Sequence, residues 1–134
     1  MNQYISNNLQ PGDKIVSDYG LYRHYAIGLG IDNLGRKWIS ENKKGHGVGA
    51  ILAEVYFANL PANSWIEKFQ GTPIKRKRVV DRALLQTGKQ YDIISYNCEH
   101  HVNEAQYGVA QSSQVKNVLV LAAVIGLGVA LFKS

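Results

Sequence analysis

Between Leu21 and Ile31 the chain reads Leu-Tyr-Arg-His-Tyr-Ala-Ile-Gly-Leu-Gly-Ile, an alternation that predicts a strand with two unlike faces. Tyr25, Ile27, Leu29 and Ile31 fall on the bulky face, while His24, Ala26, Gly28 and Gly30 fall on the other. The small face leaves room for another element to come close, and it carries an imidazole. Around this strand the chain is punctuated by turn signals, Gln10-Pro11-Gly12-Asp13, Asp18-Tyr19-Gly20 and Asp32-Asn33-Leu34-Gly35. They separate a short strand at 14–17 from the histidine strand, and that strand from a return strand at 36–41. In the return strand Trp38 and Ser40 share one face, and Lys37, Ile39 and Glu41 the other. Residues 42–47 read as a loop, 48–52 as a further strand and 52–60 as a short helix ended by Pro61. Residues 63–69 suit a helix and a strand equally. A helix is expected over 77–87, with Val80, Ala83, Leu84 and Thr87 on one face and Gly88 as its stop. The expected fold class is α+β, an antiparallel sheet packed on helices.

The chain has a single cysteine. That excludes an internal disulfide and a thiolate metal cluster. Cys98 follows an extended run, Tyr91 to Tyr96, and opens a helical segment that reaches Tyr107 and stops at Gly108. A thiol at a helix N-terminus feels the positive end of the helix dipole, which favours thiolate. As a nucleophile it needs an imidazole within reach, a polar group to orient that imidazole, and donors for an oxyanion. His24 is the candidate base. Glu41, or alternatively Asn42, is the candidate orienting group, and the backbone N–H of Cys98 a candidate oxyanion donor. The plain alternatives are a buried thiol that only packs and a strand histidine with no chemistry.

His100 and His101 project about 200° and 300° from Cys98 around the helix, so neither faces it. They are expected to cap the helix or bond to the sheet, not to bind metal. His46, between two glycines, reads as an exposed turn residue. Asn97 is placed to fix the thiol's direction through the turn before the helix, and Asn103 and Glu104 to lock the helix to neighbouring loops. Arg23, beside His24, reads as an exposed strand arginine more than a phosphate ligand.

At 134 residues the chain suits one domain. Its net charge of +5 includes the run Lys75-Arg76-Lys77-Arg78. That run fits a solvated face or an attraction to anionic lipid head groups. Nucleic acid is not expected as a partner, because no aromatic or Gly-rich recognition element accompanies it. The N-terminal residues lack the basic-then-apolar pattern of a secretory signal. Residues 118–132 carry no charge and lie between Lys116 and Lys133. As a helix they span roughly 22 Å, short of a hydrocarbon core of about 30 Å. The expected division is a catalytic domain over 1–115 and a hydrophobic tail helix over 116–134 that anchors to a membrane or packs on protein.

Asn97-Cys98-Glu99-His100, then Val102-Asn103-Glu104, Tyr107-Gly108-Val109-Ala110 and Ser113-Gln114-Val115, resembles the signature segment of lecithin:retinol acyltransferase-like proteins. Within that family it is similar to the HRAS-like suppressor phospholipase/acyltransferases. Pro11-Gly12-Asp13 and Arg23-His24-Tyr25-Ala26-Ile27-Gly28-Leu29-Gly30 resemble the family's opening turn and histidine strand. The resemblance implies a circularly permuted papain-like fold of NlpC type, with the histidine strand before the cysteine helix. It implies Cys98 as nucleophile and His24 as base, and a thioester with an acyl chain from a phospholipid. Water, an amine or an alcohol then accepts that chain, and no cofactor is implied. Many vertebrate members carry a C-terminal anchor like residues 118–132, which implies a cytoplasmic, membrane-associated protein. The chain departs from those enzymes at the third catalytic position, where they have a second histidine and Glu41, or alternatively Asn42, stands here. Two rival functions stay open at this point, a peptidase or amidase using the same thiol and a non-catalytic membrane-associated interaction module.

Overall fold

The structure is a computed structural model and describes residues 2–93, 96–109 and 112. The chain forms α1 (Asn2–Asn8), β1 (Lys14–Asp18), β2 (Arg23–Ile31), β3 (Lys37–Lys43) and β4 (Gly47–Leu52). It continues with α2 (Ala53–Ala58), β5 (Ser64–Glu67), α3 (Pro73–Leu85) and α4 (Cys98–Tyr107). The strands make one five-stranded sheet in the order β4-β3-β2-β1-β5, antiparallel throughout. The α+β class with an antiparallel sheet on helices is thus as expected. The apolar tail, 118–132, lies outside the described residues. No helix among the described residues is long and apolar enough to cross a membrane.

Because side chains alternate along a strand, the sheet buries both faces. On the first, Ile15, Ala26 and Ile39 pack with Ile5 and Leu9 from the α1 end and with Ala53, Tyr56, Phe57 and Leu60 from the α2 region. On the second, Val16, Tyr25 and Ile27 pack with Val79 and Ala83 of α3 and with Cys98, Val102 and Ala105 of α4. The small face of β2 does receive a close neighbour, and that neighbour is the end of α1. A Cβ on Gly28 would lie 3.0 Å from the Gln10 carbonyl and 3.0 Å from Leu9 Cγ.

Several local readings are corrected. Helix α1 was not foreseen, since its sequence is polar apart from Ile5 and the following Leu9. Strand β3 runs on to Lys43, so Asn42 belongs to the strand and not to a loop. Residues 64–67 become an edge strand because β1 has a free side to pair with. Helix α3 starts at Pro73 instead of 77: Thr72 caps it by accepting from the Lys75 N–H, and proline at the first helical position costs no hydrogen bond. Its buried stripe holds Val79 and Ala83, while Leu84 is exposed.

The turn at Pro11-Gly12-Asp13 proves to be a junction. Asp13 is sealed from solvent and accepts from Arg76 Nη1 (2.7 Å), Lys68 Nζ (2.9 Å), the Phe69 N–H (2.8 Å) and the Gln10 N–H (2.9 Å). One carboxylate thereby ties the α1–β1 turn to the segment after β5 and to α3.

Candidate active site

Helix α4 begins where the sequence places it, because the first turn is capped from both sides. Asn97 Oδ1 accepts from the N–H groups of Glu99 (2.9 Å) and His100 (3.1 Å). His100 Nδ1 accepts in return from the Asn97 N–H at 2.9 Å, a histidine version of the reciprocal capping box. Burial holds the His100 pKa below its usual value, which suits a ring nitrogen that must stay unprotonated to accept. The His101 N–H reaches the Asn97 carbonyl. In this turn the Cys98 N–H is left without a partner among the described residues. Asn97 Nδ2 also donates to Ile93 O (3.1 Å) and Ser112 Oγ (3.2 Å), and Ser112 donates to Glu99 at 2.9 Å. Gly108, in the left-handed region at φ 77°, ends the helix.

Three successive residues of β3 then divide the work between the two faces of the sheet. Ser40 and Asn42 point to the α4 side. Ser40 Oγ meets His101 Nε2 at 2.8 Å, and Asn42 Nδ2 donates to the Tyr96 carbonyl at 2.8 Å. Burial pushes His101 down to about 4, so its ring is neutral at physiological pH. Tyr96 OH donates to Glu104 Oε1 at 2.8 Å, which locks the helix to the segment before it. Asn103 lies half-buried on α4. These bonds seat the start of α4 against the start of β2, where Cys98 Sγ approaches the Arg23 carbonyl at 3.7 Å.

Glu41, between Ser40 and Asn42, points the other way. It pairs across the sheet with Ala26, so its side chain shares the face of His24 one diagonal step away. His24 Nε2 and Glu41 Oε1 are 2.8 Å apart, and both side chains are largely buried. Cys98, whose sulfur lies against the backbone of the neighbouring Arg23, also acts on this ring and raises its pKa. Burial of the ring opposes its charge, but the hydrogen bonds and negative charges of Cys98 and Glu41 outweigh burial and push His24 up to about 9. The protonated form of the ring is therefore favoured, as fits a base that holds the proton drawn from the Cys98 thiol. Of the two expected orienting residues, Glu41 sits on His24. Asn42 is fully buried on the opposite face and serves the Tyr96 carbonyl.

A raised histidine pKa stabilises the fold below the unfolded value of 6.5 and loses that contribution as pH rises through about 9. Glu41→Gln removes the carboxylate, so the His24 midpoint is expected to fall towards 6.5. The pH-dependent loss of stability then moves down with it. An imidazole NMR titration of the wild type and the variant measures this, and an unchanged midpoint would show that Glu41 does not hold the charge.

The remaining sequence candidates fall elsewhere. Arg76 turns inward to Asp13, Pro11 O and Phe69 O. Successive helix residues rotate by about 100°, so four in a row cannot share one surface. Lys77 pairs with Asp81 at 2.9 Å. Lys75 and Arg78, three apart, are the members of the run left exposed without an ion-pair partner among the described residues. Arg23 lies over the Trp65 ring, 5.2 Å from its centre. His46 is exposed in the turn between β3 and β4. No group of three or more metal-type ligands occurs among the described residues. A cavity of about 240 Å³ opens beside His24 and Glu41, with Tyr56 of α2 also in its wall. Sequence reasoning missed Asp13 as an ion-pair centre and Ser112 as a brace for the cap. Neither carries a local periodicity that would have exposed it.

An inverted histidine-then-cysteine order, a capped cysteine helix on one face of an antiparallel sheet, and a histidine strand beside it define an α+β protein of lecithin retinol acyltransferase and NlpC type. The lecithin retinol acyltransferase family model matches residues 7–111, and the chain belongs to that family. It is 28% identical over 137 residues to phospholipase A and acyltransferase 3 of Homo sapiens, which covers 90% of this chain and 85% of that protein. The Mus musculus protein of the same name matches to the same extent, 28% identical with 90% and 85% covered. Phospholipase A and acyltransferase 5 of Rattus norvegicus is 42% identical over 57 residues, 40% of this chain and 20% of that protein.

Proposed function

We propose that the protein is a thiol-dependent phospholipase A and acyltransferase that acts on glycerophospholipids through an acyl-cysteine thioester. The observation that carries this reading is the His24–Glu41 pair, 2.8 Å apart, on a strand whose Arg23 carbonyl meets the Cys98 thiol at the start of a capped helix. In the first half-reaction His24 holds the proton of the Cys98 thiol while sulfur attacks the ester carbonyl. The Cys98 N–H, without a partner among the described residues, faces the oxyanion that forms. Collapse breaks the ester bond, and His24 returns the proton to the departing lysophospholipid oxygen. In the second, His24 takes a proton from water, an amine or an alcohol as it attacks the thioester. Fatty acid or acylated acceptor leaves, and the thiol is restored with its proton. Glu41 orients the ring and stabilises its positive form throughout, so it is a positioning residue. Asn97 and Asn103 serve the helix that holds the thiol.

The catalytic domain is assigned to 1–115, and 116–134 to a hydrophobic tail. That tail, with exposed Lys75 and Arg78, would bring the site to the cytoplasmic surface of a membrane, since two weak anchors hold better than one. An amidase would use the same thiol. The names of the relatives and the apolar wall of the cavity favour a lipid ester. The non-catalytic reading rested on the missing second histidine, and the Glu41 pairing supports an intact site without it.

Intact mass after exposure to mixed phospholipids tests the proposal. An acyl adduct is expected on the wild type and absent from Cys98→Ser. Cleavage of peptide amides with no adduct or free fatty acid from phospholipid would replace the lipid reading.

A further inference from the structure

Glu41 is not the last residue of β3 to face the cavity. Lys43 follows on the same side of the strand, about 7 Å further along, and Lys44 begins the turn into β4. Both line the cavity beside His24 and Glu41. Neither has an ion-pair partner among the described residues. Glu41 is the one carboxylate among the lining residues, and its charge is met by His24. Ile51, Val55 and Leu60 supply an apolar wall. The cavity therefore carries two ammonium groups, an apolar wall and the His24–Glu41 pair. An anionic amphiphile matches that pattern; a neutral ester leaves the two lysines unused.

We propose that Lys43 and Lys44 hold the phosphate diester of the acyl donor, and so select a phospholipid over an uncharged glyceride. The inference rests on the phospholipid reading above and adds residues to it. In a glycerophospholipid the glycerol puts only a few bonds between the ester carbonyl and the phosphate. A carbonyl presented to Cys98 past His24 thus places the phosphate a short step beyond Glu41, where the lysines stand. Two exposed ammonium groups bind weakly and are screened by salt. That suits a site that must let go of a lysophospholipid.

Binding of short-chain diether lipids to the full-length Cys98→Ser protein tests this without requiring turnover. The probes are a monomeric dihexyl-ether phosphatidylcholine and the matching phosphate-free dihexyl-ether glycerol, measured by calorimetry. Lys43→Gln/Lys44→Gln is expected to weaken the phosphatidylcholine ether about tenfold, the scale of two exposed charge contacts, and to leave the glycerol ether unchanged. Lys43→Arg/Lys44→Arg is expected to keep the wild-type preference. Equal affinity of the wild type for the two ethers, an equal loss on both in the glutamine variant, or no detectable binding of the phosphatidylcholine ether would each overturn the assignment. Inorganic phosphate binding as tightly as the ether would reassign the lysines to a free-anion site. Failure of the lipid chemistry itself is read separately, from the missing Cys98 adduct.

Discussion

His24→Ala is expected to lower turnover of phospholipid by about 10³–10⁴-fold with Cys98 still in place, the upper range for loss of a general acid–base group. Without the ring, the thiol proton has no acceptor as sulfur attacks, and the departing glyceride oxygen has no donor. Alkylation of Cys98 by iodoacetamide at neutral pH should slow as well, because the base that draws off the thiol proton is gone. Single-turnover assays in mixed micelles measure the first effect, and mass spectrometry the second. The fold should survive, since His24 sits at the start of β2 and the core beside it is made by Ala26, Ile15 and Ile39. A loss of less than about tenfold in a folded variant would mean that the thiol is activated by something else.

The second large effect concerns stability. Asp13→Ala is expected to cost about 3–5 kcal/mol, the range for breaking a buried ion pair by removing one partner. That is a large share of the roughly 5–15 kcal/mol that holds a domain of ordinary stability. The loss falls on what remains, since Arg76 is left largely buried, with its guanidinium facing two carbonyls and no anion. Asp13→Ala/Arg76→Met should therefore lose less than Asp13→Ala alone. Urea denaturation of the three proteins decides it, and a single-variant cost below about 1 kcal/mol would contradict the account. The pH dependence has a definite sign. Burial alone would raise the Asp13 pKa, but the bonds from Arg76, Phe69, Lys68 and Gln10 hold it below 3.8. Its stabilisation is thus complete above that value and is lost as pH falls through the lowered folded pKa.

The site was legible where short-range rules govern it. Asn97 before Cys98 and Gly108 after Tyr107 mark the two ends of α4 by capping chemistry that acts over a turn or less. The alternation in β2 and β3 placed His24 and Glu41 on strands that a hairpin turn brings together. The rest depends on pairs far apart in sequence. Asp13 meets Arg76 and Ser40 meets His101 across more than sixty positions, and no window along the chain shows it. Helix α1 escaped notice because its burial rests on Ile5 and Leu9 alone, too few for a recognisable stripe. The buried face of α3 was misplaced because Val79 and Val80 are equally apolar, and only the docking of α4 selects Val79.

Strand β3 behaves as a counter with two settings. Even-numbered residues Ser40 and Asn42 hold the helix that carries the thiol, and odd-numbered Glu41 holds the base. A shift by one would hand the carboxylate to the helix and leave the imidazole facing a hydroxyl. The register is kept by a bulge between Gly28 and Gly30, which takes up one extra residue of β2. Length changes in the hairpin before β3 are therefore not equivalent. Insertions or deletions of two residues preserve the setting, while a single one is tolerated only together with gain or loss of the bulge. Among descendants of such a chain, the identity of the residue beside the base would be inherited by arithmetic as well as by selection on the side chain.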